Sequence, residues 1–395
     1  MHNFGKYIRH GIVMALVLGA CFQSAQATTY PVTLDRLRQK YADGTLKVLV
    51  VPGHDSQDFG AAFGGVHEAD LTLQLGQQLY SDLKQDPHIQ TFIARDKSGY
   101  LPTFQDFFDT HQADIQNIRT LSEKLFSQTF PNATSPQLVL HNAASTRVAD
   151  KLYGINAWAN QNDIDLVIHI HFNDDASRRW YQSGKYNGMA LYIPNSAFPN
   201  YAISDGVAHS IFAKLTPVMA TSNLPVESDG ILQDHQLIAI GPNATLNPAA
   251  VLIEYDYIYE SQILHATPRT PVFQDLAQRT YQGIESYFNP SGSGTPAVTG
   301  VLPHTWTQTL QSGVKYSADV VALQFALAKD GEYPPTGKTL NDCPISGNFL
   351  GCTRAAVTQF QEKYASDILA PYGMKYGNGL VGPLTLKKLN ALYGK

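Results

Sequence analysis

The chain has 395 residues, 44% of them hydrophobic, and a formal net charge of -5 at pH 7. That length and composition suffice for two folded domains with a buried core in each. The weak acidic balance argues against nucleic acid and anionic lipid surfaces as partners.

The N-terminal stretch, residues 1–27, carries Lys6 and Arg9, an apolar run over 11–20, and the small-residue site Ala25-Gln26-Ala27. It reads as a secretory signal, with an apolar run too short to span a bilayer. No later segment reaches the length of a transmembrane helix. Within the leader, Leu18-Gly19-Ala20-Cys21 resembles a bacterial lipobox. Cys21 is therefore a candidate lipidation site, in competition with cleavage after Ala27. Either outcome places the protein in the periplasm or cell envelope, soluble or held to the membrane through Cys21.

Beyond the leader, apolar runs alternate with helical periodicity. Strands are expected at 46–51 (LKVLVV), 89–94 (IQTFIA), 165–172 (DLVIHIHF), 189–194 (MALYIP) and 250–257 (AVLIEYDY). Leu71, Leu75, Leu79 and Leu83 predict a helix that starts near Glu68, and Val148, Leu152, Ile155 and Ala159 predict another. ISDGVAHSIFAKL, after the fourth strand, has the same period. The alternation predicts an α/β fold over 45–288, a mixed sheet with helices on both faces. Helical stretches near 100–140 have no place in that scheme and read as an insertion. Residues 289–303, opening with NPSGSGTPAVTG, read as a flexible linker, and 304–395 as a small three-helix domain. Cys343 and Cys352 lie in that small domain with no histidine beside them to complete a metal site. In an exported chain they are expected to form a disulfide.

Chemistry in α/β folds gathers where strands end. His54 follows the first strand in VVPGHDSQDFG, Glu68 opens the first helix, and His171 sits in IHIHFNDD. Two histidines and a carboxylate, with a fourth position left for water, form a ligand set of hydrolytic zinc sites. Taken singly, each residue has an ordinary explanation. Glu68 suits a helix start because of the dipole, and His171 suits a hydrogen-bonded place in the core. His169 shares a strand face with His171, so either can ligate, but not both. Glu254 lies within the apolar run AAVLIEYDY, where a carboxylate is costly unless it is paired or near a metal.

VPGHDSQDFGAAFGGVHEADLTL, RVADKLYGINAWANQNDIDLVIHIHFND and NPAAVLIEYDYI together resemble the zinc-dependent N-acetylmuramoyl-L-alanine amidases of the cell-wall hydrolase type. The resemblance runs from about Lys47 to Tyr287 and implies a zinc amidase/exopeptidase-like fold. It implies one zinc ion per catalytic domain, held by His54, Glu68 and His171, with Glu254 as the catalytic acid/base. The implied reaction cuts the amide between N-acetylmuramic acid and L-alanine in peptidoglycan. Arg95-Asp96 matches the family's Thr-Arg-Asp in part, with Ala94 in place of threonine. Asp55 and Ser56 stand where the family has glycines, and His169 where it has serine. Tyr255-Asp256-Tyr257 replaces a Gly-Phe or Gly-Tyr after the glutamate. His169, Asp55, Asn173 and Arg95 are expected behind the ligands or along the groove, and Tyr255, Asp256 and Tyr257 along the groove.

In the small domain, Val320-Leu323-Gln324 and Val357-Phe360-Gln361 repeat one pattern, and Pro383 opens a third helix, a favoured place for proline. Periodicity alone allows any three-helix bundle. The motif order from Asp319 to Leu389 resembles the peptidoglycan-binding domain that often accompanies wall hydrolases. That implies peptidoglycan as both substrate and anchoring ligand, for a protein expected to be a monomer. Two other functions remain open at this point. One is a zinc peptidase acting on the stem peptide, and the other is a non-catalytic wall-binding protein.

Overall fold

The structure is a computed structural model that describes residues 32–129, 144–292 and 300–395. The leader with Cys21 and the middle of the 289–303 segment lie outside the described residues.

Six strands, β1 (Leu46–Pro52), β2 (Ile89–Ile93), β3 (Leu166–Asn173), β4 (Ala190–Pro194), β5 (Ile231–Asp234) and β6 (Ala249–Tyr257), form one sheet in the order β2-β1-β3-β6-β4-β5. β2, β1, β3 and β6 run parallel, while β4 is antiparallel to β6 and parallel to β5. The sheet is mixed, as expected. β6 is buried at every position, which is why it reads as an almost continuous apolar run. β5 was not foreseen, because its ILQD carries too little pattern for an edge strand to be recognised.

Helices α1 (Leu34–Ala42), α2 (Glu68–Lys84), α3 (Pro102–Thr110), α4 (Gln112–Thr129), α5 (Thr146–Gln161), α6 (Tyr201–Leu215) and α7 (Ala266–Phe288) cover both faces. On one face Leu71, Leu75 and Leu79 of α2 join Val48, Val50, Ile168 and Ile170 in one core. On the other, Phe104, Phe107 and Trp158 pack with Leu49, Val51 and Val167. Each such side chain contributes roughly 1.5–3 kcal/mol by leaving water. The described part of the 100–140 region, α3 and α4, belongs to this second layer against α5. α1 precedes residue 45 yet buries Leu37 and Tyr41, so the packed unit starts earlier than the strand pattern suggests. Pro268 and Pro271 interrupt the sequence periodicity of α7 without ending the helix.

The tail forms α8 (Ala318–Asp330), α9 (Gly351–Lys363) and α10 (Pro383–Tyr393). Its sequence repeat has a structural cause. Gln324 accepts from the Ser346 and Gly347 N–H groups and donates to Asn348 O and Thr353 Oγ1. Gln361 does the same for Asn378, Gly379, Leu380 O and Thr385 Oγ1. Each glutamine thus pins the loop entering the next helix. Cys343 and Cys352 are bonded, tying the α8–α9 loop to the first turn of α9. Replacing both by serine is expected to lower tail stability by on the order of 2–3 kcal/mol, from the short loop it closes. Thermal unfolding of the double variant checks this.

The tail is docked. Asn341 Nδ2 donates to Asn187 Oδ1 and Thr221 O, both at 3.0 Å, and Asn348 Nδ2 donates to Ser261 Oγ at 2.8 Å. Val301, at the end of the 289–303 segment, is buried in the same core.

Candidate metal centre

The C-terminal ends of β1, β3 and β6 lie side by side, where open α/β sheets place their ligands. Gly53 extends the pairing of β1 by donating to Ile170 O at 2.9 Å. His54 then takes a φ of 60°, a left-handed conformation that non-glycine residues rarely adopt. The turn carries its ring off the strand toward the start of α2. Gly53 must be glycine, since a Cβ there would stand 2.3 Å from the His171 ring.

Arg95 holds this turn from below. Its buried guanidinium donates to Pro52 O at 3.0 Å, and to Gly53 O and Ala69 O at 2.8 Å each. It thereby ties the end of β1 to the first turn of α2. Asp55 is also buried and pairs with Arg147 and Lys151 of α5, at 3.1 and 2.9 Å. Burial raises its carboxyl pKa, but Lys151 and the Gln57 N–H outweigh that and hold it at about 2.

Glu68 is the first residue of α2, and both of its oxygens are oriented by backbone. Oε2 accepts from the Ala61 N–H at 2.9 Å and Oε1 from the Phe172 N–H at 3.2 Å. His54 Nε2 lies 3.2 Å from Oε2, and His171 Nδ1 lies 3.0 Å from Oε1. Among the described residues, His54, Glu68 and His171 form the one cluster of such donors, with ligand atoms within 4.8 Å of one another. Burial pushes the Glu68 carboxyl up, yet the two histidines outweigh it and hold Glu68 well below the usual range. Burial lowers the His171 ring despite Glu68. For His54 burial also lowers, but attraction to Glu68 wins and leaves the ring raised.

The donor set fits a zinc ion. It offers two imidazoles and one ionised carboxylate, the His₂Glu combination of hydrolytic zinc. The carboxylate is preset by amides, and the His54 side chain is 25% exposed, which leaves one side open to solvent. Glu254 stands on β6 directly opposite His171 in the strand register, on the same face and 1% exposed. Burial raises its pKa, with further repulsion from Glu68 and Glu227.

The other expected residues are behind the site, not in a groove. His169 is 1% exposed, outside the cluster, and burial together with His171 pushes its pKa down to about 3, so it is neutral. Asn173 turns away from the metal cluster and donates to Glu227 Oε1 at 2.8 Å. Tyr255, Asp256 and Tyr257 do not line a groove either, because all three are buried. Tyr255 bonds Thr280, Asp256 accepts from the Gly188 N–H, and Tyr257 donates to Glu227.

Sequence reasoning missed Glu227. This fully buried carboxylate accepts from Asn173 Nδ2, Tyr192 OH, Ser222 OH and Tyr257 OH, joining β3, β4 and β6 beside the site. Its setting, LPVESDG, has no apolar run to make the charge conspicuous. Glu227→Ala leaves four donors without their acceptor and is expected to cost on the order of 3 kcal/mol, read from denaturant unfolding.

Residues 48–286, well over half of the chain, match the N-acetylmuramoyl-L-alanine amidase family. The chain belongs to this amidase family. Solved structures similar to it include an N-acetylmuramoyl-L-alanine amidase from Clostridium difficile 630, at 18% identity over 62% of this chain and 98% of that one, with a TM-score of 0.40. The catalytic domain of an amidase from Bacillus (Paenibacillus) polymyxa var. colistinus gives 17% over 62% and 98%, with 0.39. The amidase from Mycobacterium smegmatis gives 13% over 62% and 98%, with 0.41. No relative among curated proteins matches the chain. The amidase match ends at residue 286, so α8, α9 and α10 lie outside it.

Proposed function

We propose that this protein is an exported zinc hydrolase that cleaves the amide between N-acetylmuramic acid and L-alanine in peptidoglycan. The observation that carries the reading is the convergence of His54, Glu68 and His171 beside Glu254 in an amidase chain. His54, Glu68 and His171 would hold the zinc. When bound, the ion lowers the pKa of water to about 7 and polarises the amide carbonyl.

The protein's own groups do the rest. Glu254 takes a proton from the water that attacks the lactyl carbonyl carbon. As the C–N bond breaks, Glu254 passes the proton to the leaving nitrogen. The products are a lactyl carboxylate on the sugar and a peptide with a free N-terminal alanine. Arg95 keeps the His54 turn and the start of α2 together throughout. We assign the tail as a peptidoglycan anchor. Its Asn341 and Asn348 contacts fall on Asn187, Thr221 and Ser261, at the end of the sheet that carries the site. The leader reading places the enzyme in the periplasm or envelope, soluble from Thr28 or anchored through Cys21.

Mass spectrometry of purified peptidoglycan after digestion tests the reaction. Free stem peptides that begin with alanine, beside intact glycan, are expected. Shortened peptides still joined to muramic acid would indicate a stem-peptide peptidase, and undigested wall a non-catalytic binder.

A further inference from the structure

Three residues after His171 the chain leaves β3 in a connection to β4, residues 174–189, that presents two aromatic rings to solvent. Trp180 is 83% exposed and Tyr181 56% exposed, with ring centroids 5.5 Å apart. The other two tryptophans, Trp158 and Trp306, are buried. The two rings stand nearly perpendicular, at 81°, and we propose that the Trp180 face, with Tyr181 edge-on beside it, forms a platform on which a sugar ring of the glycan strand stacks beside the metal cluster. The proposal rests on the amidase reading for its substrate.

The backbone of the loop that carries these rings is held in place. Arg178, its side chain 6% exposed, pairs with Asp174 and donates to Ala62 O at 2.8 Å and to Trp180 O at 3.1 Å. Its guanidinium also lies over Phe63, 4.9 Å from the ring centroid. Ala62 and Phe63 belong to the hairpin whose Ala61 N–H holds Glu68, so one arginine links the aromatic tip to a metal ligand's support. Asp175 closes the base of the loop by accepting from the Ser177 and Lys185 N–H groups. Asn187, near its far end, donates to Asn341 O of the tail at 3.0 Å. A loop backbone fixed in this way lowers the ordering cost of binding at its tip.

The chemistry of the substrate selects the occupant. The scissile amide hangs from a lactyl group attached directly to a sugar ring, so the glycan must cross the rim whenever the amide reaches the site. A pyranose presents a face of C–H groups and an edge of hydroxyls and amides. An indole and a phenol ring, flanked by exposed Arg179, Gln182 and Ser183, match that mixed character better than a lipid chain.

Trp180 is the exposed tryptophan, so its fluorescence reports on the platform without requiring turnover. The peptide-free disaccharide of N-acetylglucosamine and N-acetylmuramic acid, titrated into the full zinc-loaded chain, is expected to change the emission saturably. Trp180→Ala is expected to reduce kcat/KM about tenfold on a glycan-bearing muramoyl-peptide, mainly through KM. On a sugar-free lactoyl-peptide it should stay within twofold of the parent. Unchanged emission with the disaccharide, or an equal loss on both substrates, overturns the platform. If the disaccharide binds while neither substrate is cut, the platform stands and the amidase reading falls. If both are cut and the Trp180→Ala ratio is unity, the amidase reading stands and the platform falls.

Discussion

Glu254→Gln is expected to keep its zinc and to lose roughly 10²–10⁴-fold in hydrolysis of peptidoglycan. The carboxamide has the shape of the carboxylate, so the packing of β6 opposite His171 is preserved. What it cannot do is accept the proton. The sign of the pH dependence follows from the same group. With the ionised carboxylate as the proposed active form, the rate is expected to fall as pH drops through the Glu254 pKa. Burial, Glu68 and Glu227 raise that pKa in the metal-free protein, and a bound zinc ion would draw it back down by stabilising the carboxylate. Residual activity of the glutamine variant should lack this acid limb. An undiminished rate, or an unchanged acid limb, would remove Glu254 from the mechanism.

His171→Ala and His54→Ala are expected to lose the metal together with activity, zinc falling from one per chain to near none. The Glu68 carboxylate then remains buried at 4% exposure with one of its two imidazole partners gone. His169→Ala is the matched control. That ring is buried and neutral, so its loss leaves a cavity and a stability cost of about 1–3 kcal/mol while zinc stays bound. Metal analysis of the three purified variants, with their unfolding curves, separates these outcomes. Zinc retained by His171→Ala and lost by His169→Ala would move the ligand assignment one pleat along β3.

Three of the candidate site residues were legible because each interrupts a local pattern. His54 stands where an apolar strand stops at Pro52, Glu68 where a leucine period begins, and Glu254 where a charge breaks a buried run. The parallel core strands were legible for a related reason, since burial on both faces leaves long apolar stretches. What was not legible depends on partners distant in sequence. Arg95 acts on carbonyls at 52, 53 and 69, and Asn173 on Glu227, so no local spacing announces either role. The same holds for Tyr255, Asp256 and Tyr257, whose polar atoms were expected in a groove and instead satisfy buried neighbours. α7 was hidden by two prolines, and β5 by having only two apolar residues.

Anomalous diffraction at the zinc edge, from crystals of the purified full chain, tests the metal assignment most directly. A single peak enclosed by His54, Glu68 and His171, with Glu254 facing it, is the expected result. A peak at His169, or no peak in an enzyme that still releases peptides from peptidoglycan, would contradict it.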